Sequence, residues 1–572
     1  MIPCARLLAL GNWQMTFRRM KTDCRAGSLL VAALMLLAGC LSSRANVYAT
    51  DIKLNGSTNN AAMVASSGLQ ISYILNEPAT AGVTVQIESS SAVLWTTNLA
   101  WQMAGTAEGS NSVAWDGTDQ TTGASAAVGI YSISITAAAA GYDNWTNITD
   151  DGTNFSVEAP MSIAVNRNAN SPFCGRVFVG CAPSPDVPGV VFNPGIAKFN
   201  ADGSAPDEGG GVCKGGYQWA GLPYFSPWKI SISSDDKVYI DDWSAGGIVL
   251  AFDEVISTNY MTVLGTNNYS YPDEKLSGPL VTGAGTNTLL LMADANTNTA
   301  NGSSLGIVEW AVTNNGLVGS NDTGTVLVGI SSNTNGLTVA PWDMSLDTNG
   351  NIYAIQNLDG VTDPGYAGTM RVFCFPAYEG VTETNAIWSI GSTDEDLEKA
   401  FGIAVDPSAT FVAVAVFGYG TSPESLSNGG VNIYYATNGQ LVTQLDTTNG
   451  LDYSPEYTDV AWDSAGNLYA TDYGNSVWRA YSPPGPNQAT TVAVPVVEVY
   501  DALAQPLLCA PQAGMGEFGF TLLGQSNVAY VIESSPDLIT WTKIATNYET
   551  AAVRAISLPM AAGPAFYQAV IP

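Results

Sequence analysis

Histidine is absent from all 572 residues. That one absence removes Ser-His-Asp and Cys-His catalysis, His-ligated zinc or haem, and histidine-based pH switching. Positive charge is scarce too: 19 Lys and Arg stand against 50 Asp and Glu, a net charge of −31. Arg6, Arg18, Arg19, Lys21, Arg25 and Arg44, with Asp23 as their one acid, fall within residues 1–45, so the remainder is more acidic still. Phosphate backbones and anionic lipid surfaces repel such a body, so no nucleic-acid partner is expected and no membrane contact beyond a lipid anchor. Helical periodicity is missing: after residue 40 no long stretch repeats its apolar positions every 3.6 residues. No Cys-x-x-Cys metal spacing occurs either.

What is present points to β structure. Apolar residues make up 46% of the chain and charged ones only 12%, so its polarity comes from Asn, Thr, Ser and Gly. With 58 Gly and 29 Pro, that composition suits many short strands joined by turns. The length suggests roughly three or four domains.

The first segment, residues 1–45, is an export signal. Its bases precede the apolar run Ser28–Gly39, which is too short to cross a bilayer comfortably. Two exits compete. Leu37-Ala38-Gly39-Cys40 has the form of a lipobox, which would make Cys40 a lipidated N-terminus; Ser43-Arg44-Ala45 offers ordinary cleavage before Asn46. The expected location is secreted or cell-envelope, an outer-membrane lipoprotein if Cys40 is acylated. Behind the signal remain Cys174, Cys181, Cys213, Cys374 and Cys509, an odd number. Cys174 and Cys181 flank one short strand and are candidates for a local disulfide, with Cys213 an equally good partner.

Residues 50–158 alternate with period two in Leu69–Leu75, Val83–Ile87 and Tyr131–Ile135, the pattern of a β-sandwich. The phrase Ile71-Ser72-Tyr73-Ile74-Leu75-Asn76-Glu77-Pro78-Ala79 resembles the opening of the Ig-like domain named after the flagellar hook-capping protein. Trp115-Asp116-Gly117 with Gly129-Ile130-Tyr131 resembles that family's closing hairpin. The resemblance implies a packed Trp, an Asp-Gly turn and a spacer or binding role without chemistry.

Residues 160–490 carry a repeat. Asp463-Ser464-Ala465-Gly466-Asn467-Leu468-Tyr469-Ala470-Thr471-Asp472 recurs as Asp347-Thr348-Asn349-Gly350-Asn351-Ile352-Tyr353 and, loosely, around Asp235 and Asp236. Six inner-strand phrases stand out: Met161–Val165, Trp228–Ile232, a degenerate one at Leu289–Asp294, Trp342–Leu346, Phe401–Val405 and Tyr457–Ala461. Their spacing of roughly 45–65 residues suits four-stranded propeller blades. The pattern D-x-x-G-N-[IL]-Y-A-x-D resembles the NHL repeat, and the phrase count implies six blades, with five or seven left open. Residues 497–572, with Glu533-Ser534-Ser535-Pro536-Asp537-Leu538 and Phe566-Tyr567-Gln568-Ala569, resemble a small β module ending exported proteins of Verrucomicrobia-type bacteria. The expected fold is therefore all-β: Ig-like β-sandwich, six-bladed β-propeller, small C-terminal β module.

Chemistry is harder to place. Asp347-Thr348-Asn349-Gly350-Asn351 superficially matches the start of a calcium loop, but the later Glu is missing and Asn-Gly makes a hairpin turn without an ion. The same holds for Asp463, Asp235 and Asp236. No cofactor is expected, calcium being the one ion the acidic turns suggest. Trp228, Trp342, Asp343, Glu456 and Asp459 sit near inner-strand starts and could line one mouth of the propeller. Asp241, Asp242, Asp294 and Asp472 follow second strands and are expected to brace neighbouring blades. The favoured function is an exported, non-catalytic binding or scaffold protein whose propeller face meets an extracellular protein or glycan. The alternative is a metal-dependent hydrolase of lactones or glycans, because gluconolactonase-type propellers hold a divalent ion with Glu, Asn and Asp alone.

Overall fold

The computed structural model describes residues 46–570 apart from 59, 65–67, 91, 183–193, 220–225, 243–246, 266–275, 295–305, 314, 320–321, 332–334, 339–340, 357–370, 392–399, 419–428, 447–454, 486–489, 493–495, 501–505, 515–516, 525–527, 549–552 and 560–564. Cys40 and both candidate cleavage sites lie outside these residues. Among the described residues the strands within each blade pair antiparallel, as expected for short strands joined by tight turns.

Six four-stranded sheets form the propeller. Their inner strands are Pro160–Val165, Ile230–Ile232, Leu276–Thr282, Asp343–Leu346, Ala400–Val405 and Tyr457–Trp462, in blades 1 to 6. Each neighbours the next, and the sixth neighbours the first, so the ring is closed. Between blades the core is apolar. Phe178, Ile196, Ile240 and Leu250 join blades 1 and 2; Val414, Val412, Ile355 and Tyr353 join blades 4 and 5. Face-to-face packing hides both sides of the middle strands, which is why Val177–Cys181 and Phe411–Val416 read as near-continuous apolar runs.

Blade 6 is completed from elsewhere in the chain. Its outer strand is Thr146–Asn147, which pairs with Val477–Ser482 before the chain enters blade 1. The closure is fastened by Arg479. Its Nε and Nη2 bond the two carboxylate oxygens of Asp151 at 2.7 and 3.0 Å, and Nη1 reaches Asp446, Asp472 and the Tyr457 hydroxyl. Such a bidentate guanidinium–carboxylate pair fixes orientation as well as charge.

The degenerate third phrase needs correction. Leu289–Asp294 is the second strand of blade 3, and the inner strand is Leu276–Thr282. Gly278 and Pro279 interrupt that strand's pattern, and the pairing slips between Ser277 and Leu280. Proline cannot donate to the ladder, which hides the strand from a reading by periodicity.

The N-terminal sandwich packs Ala49–Leu54, Leu69–Leu75 and Gly109–Trp115 against a second sheet built on Gly82–Glu88 and Gly129–Ala138. Trp115 is buried at its centre; its indole N–H donates to the Thr118 carbonyl at 2.9 Å, and Tyr131 meets it edge-on. After the propeller the chain returns: Thr490–Val492 and Val496–Tyr500 both pair with Gly129–Ala138. Sandwich and propeller are thus joined by strand exchange in both directions. The final segment forms two three-stranded sheets around Phe520, Leu522, Tyr530 and Ile532.

Cys174 and Cys181 are both buried free thiols. The extended strand Val177–Cys181 lies between them. At about 3.3 Å per residue it holds them beyond disulfide reach. Burial pushes both thiols up to about 12, so neither is a ready nucleophile.

Candidate functional site

The inner strands of blades 2, 4 and 6 align residue by residue: Lys229-Ile230-Ser231, Asp343-Met344-Ser345 and Asp459-Val460-Ala461. Their first positions meet at the propeller axis. The buried Lys229 ammonium lies 2.7 Å from Asp459 Oδ1 and 3.4 Å from Asp343 Oδ2, and donates to the Thr458 carbonyl at 3.1 Å. The remaining lone pairs of these carboxylates brace the ring. Asp459 accepts the N–H of Ile163 in blade 1, and Asp343 accepts that of Ile403 in blade 5, each at 2.9 Å. Ser231 and Ser345 do the same one step along, taking the N–H groups of Val281 and Val405 at 3.0 Å. The strands approach so closely that a Cβ on Gly402 would stand 2.6 Å from the Asp459 Cα.

Burial pulls the Lys229 ammonium down, but Asp343 and Asp459 more than offset this and leave it raised and charged. Burial drives both carboxylates up, against the pull of Lys229. Two acids sharing one base leave one negative charge too many, so the raised direction is physically coherent. Three acids at these aligned positions would have made a cation site; in this chain an ammonium on blade 2 fills the same electrostatic role.

One mouth of the axis is closed by aromatics. Trp228 is buried, meets Trp342 at 6.0 Å and Phe401 at 6.2 Å between ring centres, and donates its indole N–H to Ser277 Oγ at 2.6 Å. Phe401, Phe417 and Tyr473 continue the cluster. Trp228 and Trp342 therefore pack against each other at the mouth where the sequence placed them. Glu456 lies near by, its carbonyl accepting the Tyr473 N–H.

At the other end the axis opens into a cavity of about 420 Å³. Lys229, Asp343 and Asp459 are at its deep end; Ser231, Ser345, Val281 and Ile403 are on its walls; Arg167 and Asn168 come from the first blade's hairpin. That hairpin, between Pro160–Val165 and Val177–Cys181, is longer than its counterparts and lacks the Asp-led turn of blades 4, 5 and 6. Asn166 and Asn168 pin it to blade 2 by donating to Asp236 at 2.9 and 3.1 Å.

The acidic turns are internally satisfied. Asp347 accepts the N–H groups of Asn349 and Asn351, the Asn351 amide and the Tyr353 hydroxyl. Asp463 binds Asn467 and Tyr469 in the same way. Among the described residues no group of three or more His, Cys, Asp or Glu is arranged to hold a metal ion. The expectation for the second-strand acids requires correction. Asp241 accepts the Lys229 N–H, Asp242 the Ser226 and Tyr217 hydroxyls, and Asp472 the Asn475 N–H and amide, all near in sequence. They tie their own blades, and cross-blade bracing falls to the inner-strand Asp and Ser. The side chain of Asp294 lies outside the described residues.

Sequence reasoning missed Lys229 and Arg167. The signal for Lys229 was its alignment with Asp343 and Asp459; for Arg167 it was the departure of blade 1 from the repeat.

No family model and no curated protein matches the chain. Solved structures with some likeness include a Trichoderma reesei carbohydrate-active enzyme of family AA12, 13% identical with a TM-score of 0.33, covering 61% of this chain and 97% of that one. A GH43 endo-arabinanase from Bacillus licheniformis is 10% identical with a TM-score of 0.24, over 58% of this chain and 94% of its own. A family 32 glycoside hydrolase from Bifidobacterium adolescentis is 10% identical with a TM-score of 0.22, over 86% and 87%. At such low similarity none of the three bears on the activity of this chain.

Proposed function

We propose that this is an exported, non-catalytic binding protein, with an Ig-like sandwich as spacer and an NHL-type propeller as the platform for an extracellular glycan or protein. The observation that carries the reading is the axial cluster. Lys229 already pairs with both carboxylates that converge on the axis, and both also hold backbone N–H groups of the next blade. Carboxylates committed in this way are poor candidates for general acid–base chemistry, which needs a group free to exchange a proton with substrate. They also offer a divalent ion a site where a cation already sits. The NHL likeness is supported by the hairpins, where the repeated Asp, Asn and Tyr bond one another in both well-matched copies. The terminal module is read as a sorting or packing element, and Cys40 as a candidate anchor.

The test is a glycan array probed with the mature protein, run beside turnover assays on sugar lactones and oligosaccharides. Retention of a glycan class without turnover is expected. Hydrolysis that survives purification and depends on Asp343 or Asp459 would overturn the reading.

A further inference from the structure

Within the acidic body, Arg167 is out of place. Arg176 pairs with Glu208, Arg479 with three aspartates, Arg371 lies against Phe373, and Arg554 is also engaged. Among the described residues Arg167 has no hydrogen-bond or ion-pair partner, and its exposed side chain lines the axial cavity. Desolvation within the cavity pulls its guanidinium down, and Asp463 and Asp406 only partly offset this from a distance, their own oxygens being occupied within their turns.

We infer that the cavity binds a small polyhydroxylated carboxylate, a uronic or aldonic acid, with Arg167 clamping the carboxylate. This rests on the binding reading above and names its ligand class. Four features of the cavity select that chemistry. Its volume of about 420 Å³ is that of a small-molecule pocket. The planar guanidinium matches a carboxylate with two parallel N–H donors. Ser231 and Ser345 spend their oxygens on backbone N–H groups and keep their hydroxyl protons to donate to ligand oxygens. Among the described residues no aromatic ring lines the cavity, so they offer no stacking surface for a bare hydrophobic acid or a neutral sugar face. The body's negative charge opposes anions in general, so an acidic ligand gains entry only where a local cation is held free for it.

The experiment is calorimetric titration of the mature protein with glucuronate, galacturonate, glucose and inorganic phosphate, repeated on R167Q and R167K. Arg167 is exposed and unbonded, so R167Q is expected to melt as wild type, which the same samples check. The expected result is saturable binding of at least one uronate by wild type, weakened at least about tenfold in R167Q and partly kept in R167K, with glucose and phosphate markedly weaker. Uronates that fail to bind at about 10 mM, or that bind R167Q as well as wild type, overturn the inference. Glucose or phosphate binding as tightly as uronate does the same. If uronates fail in the titration while the array still retains glycans, the platform reading stands and the inference about the cavity fails alone.

Discussion

Replacing Lys229 by Met keeps the stem volume and removes the charge, leaving Asp343 and Asp459 facing each other at the buried axis. With an effective dielectric near 20, Coulomb's law gives the Lys229–Asp459 contact about 6 kcal/mol and the longer Lys229–Asp343 contact about 5 kcal/mol. Desolvation of the ammonium offsets much of this, and removal of one partner from a buried pair typically costs about 3–5 kcal/mol. The Thr458 carbonyl loses its donor as well. The orphaned acids can relieve the strain by taking up a proton. The loss should therefore be largest at about pH 8 and shrink towards about pH 5, where at least one carboxylate of the pair is neutral. Urea unfolding of wild type, K229M and K229M/D343N/D459N at both pH values is the assay. The triple variant should recover most of the loss, because an uncharged axis leaves no buried ion unpaired. A cost under about 1 kcal/mol at the higher pH, or one independent of pH, would refute the view that Lys229 is the axial counter-ion.

Two further outcomes follow from buried charges elsewhere. Burial pushes Glu77 up to about 7 and Asp463 up to about 6. The folded state therefore holds protons that the unfolded chain has released, and stability falls as pH rises from about 4 to 7 and levels off above. Glu77 supplies up to about 3 kcal/mol of that slope, so E77Q should flatten the profile of unfolding midpoint against pH, whereas an unchanged slope would show that Glu77 is ionised in the fold. Arg479→Met should cost about 3–5 kcal/mol and raise amide exchange in Thr146–Asn147 and Val477–Ser482 before the rest of the propeller; uniform exchange would show that Arg479 does not hold the ring shut.

How far the sequence carried depends on how local each feature is. The hairpin turns at Asp347 and Asp463 were legible because the groups that bond the two aspartates lie within six residues of them. The Trp115 hairpin was legible for the same reason: Asp116 accepts the Thr118 N–H and hydroxyl, and Gly117 adopts the positive φ its turn requires. The third inner strand was not, because Gly278 and Pro279 erase its alternation. Ring closure by Thr146–Asn147 was hidden because two residues carry no periodic signal. The axial cluster was half legible. Asp343, Asp459 and Trp228 were placed at inner-strand starts, but the counter-ion beside Trp228 emerges only when blades 2, 4 and 6 are brought round one axis. Arg167 was invisible for a different reason: an irregular loop has no pattern, and only the cavity shows where its side chain matters.

The propeller axis is closed by its own ammonium. The most direct measurement is the melting curve of the purified mature protein in millimolar calcium against excess chelator, with metal content determined on the same sample. Equal midpoints and no stoichiometric ion are predicted, because Lys229 occupies the electrostatic position a divalent cation would take. A rise of several degrees in calcium, with one ion bound per chain and lost in D343N or D459N, would contradict it.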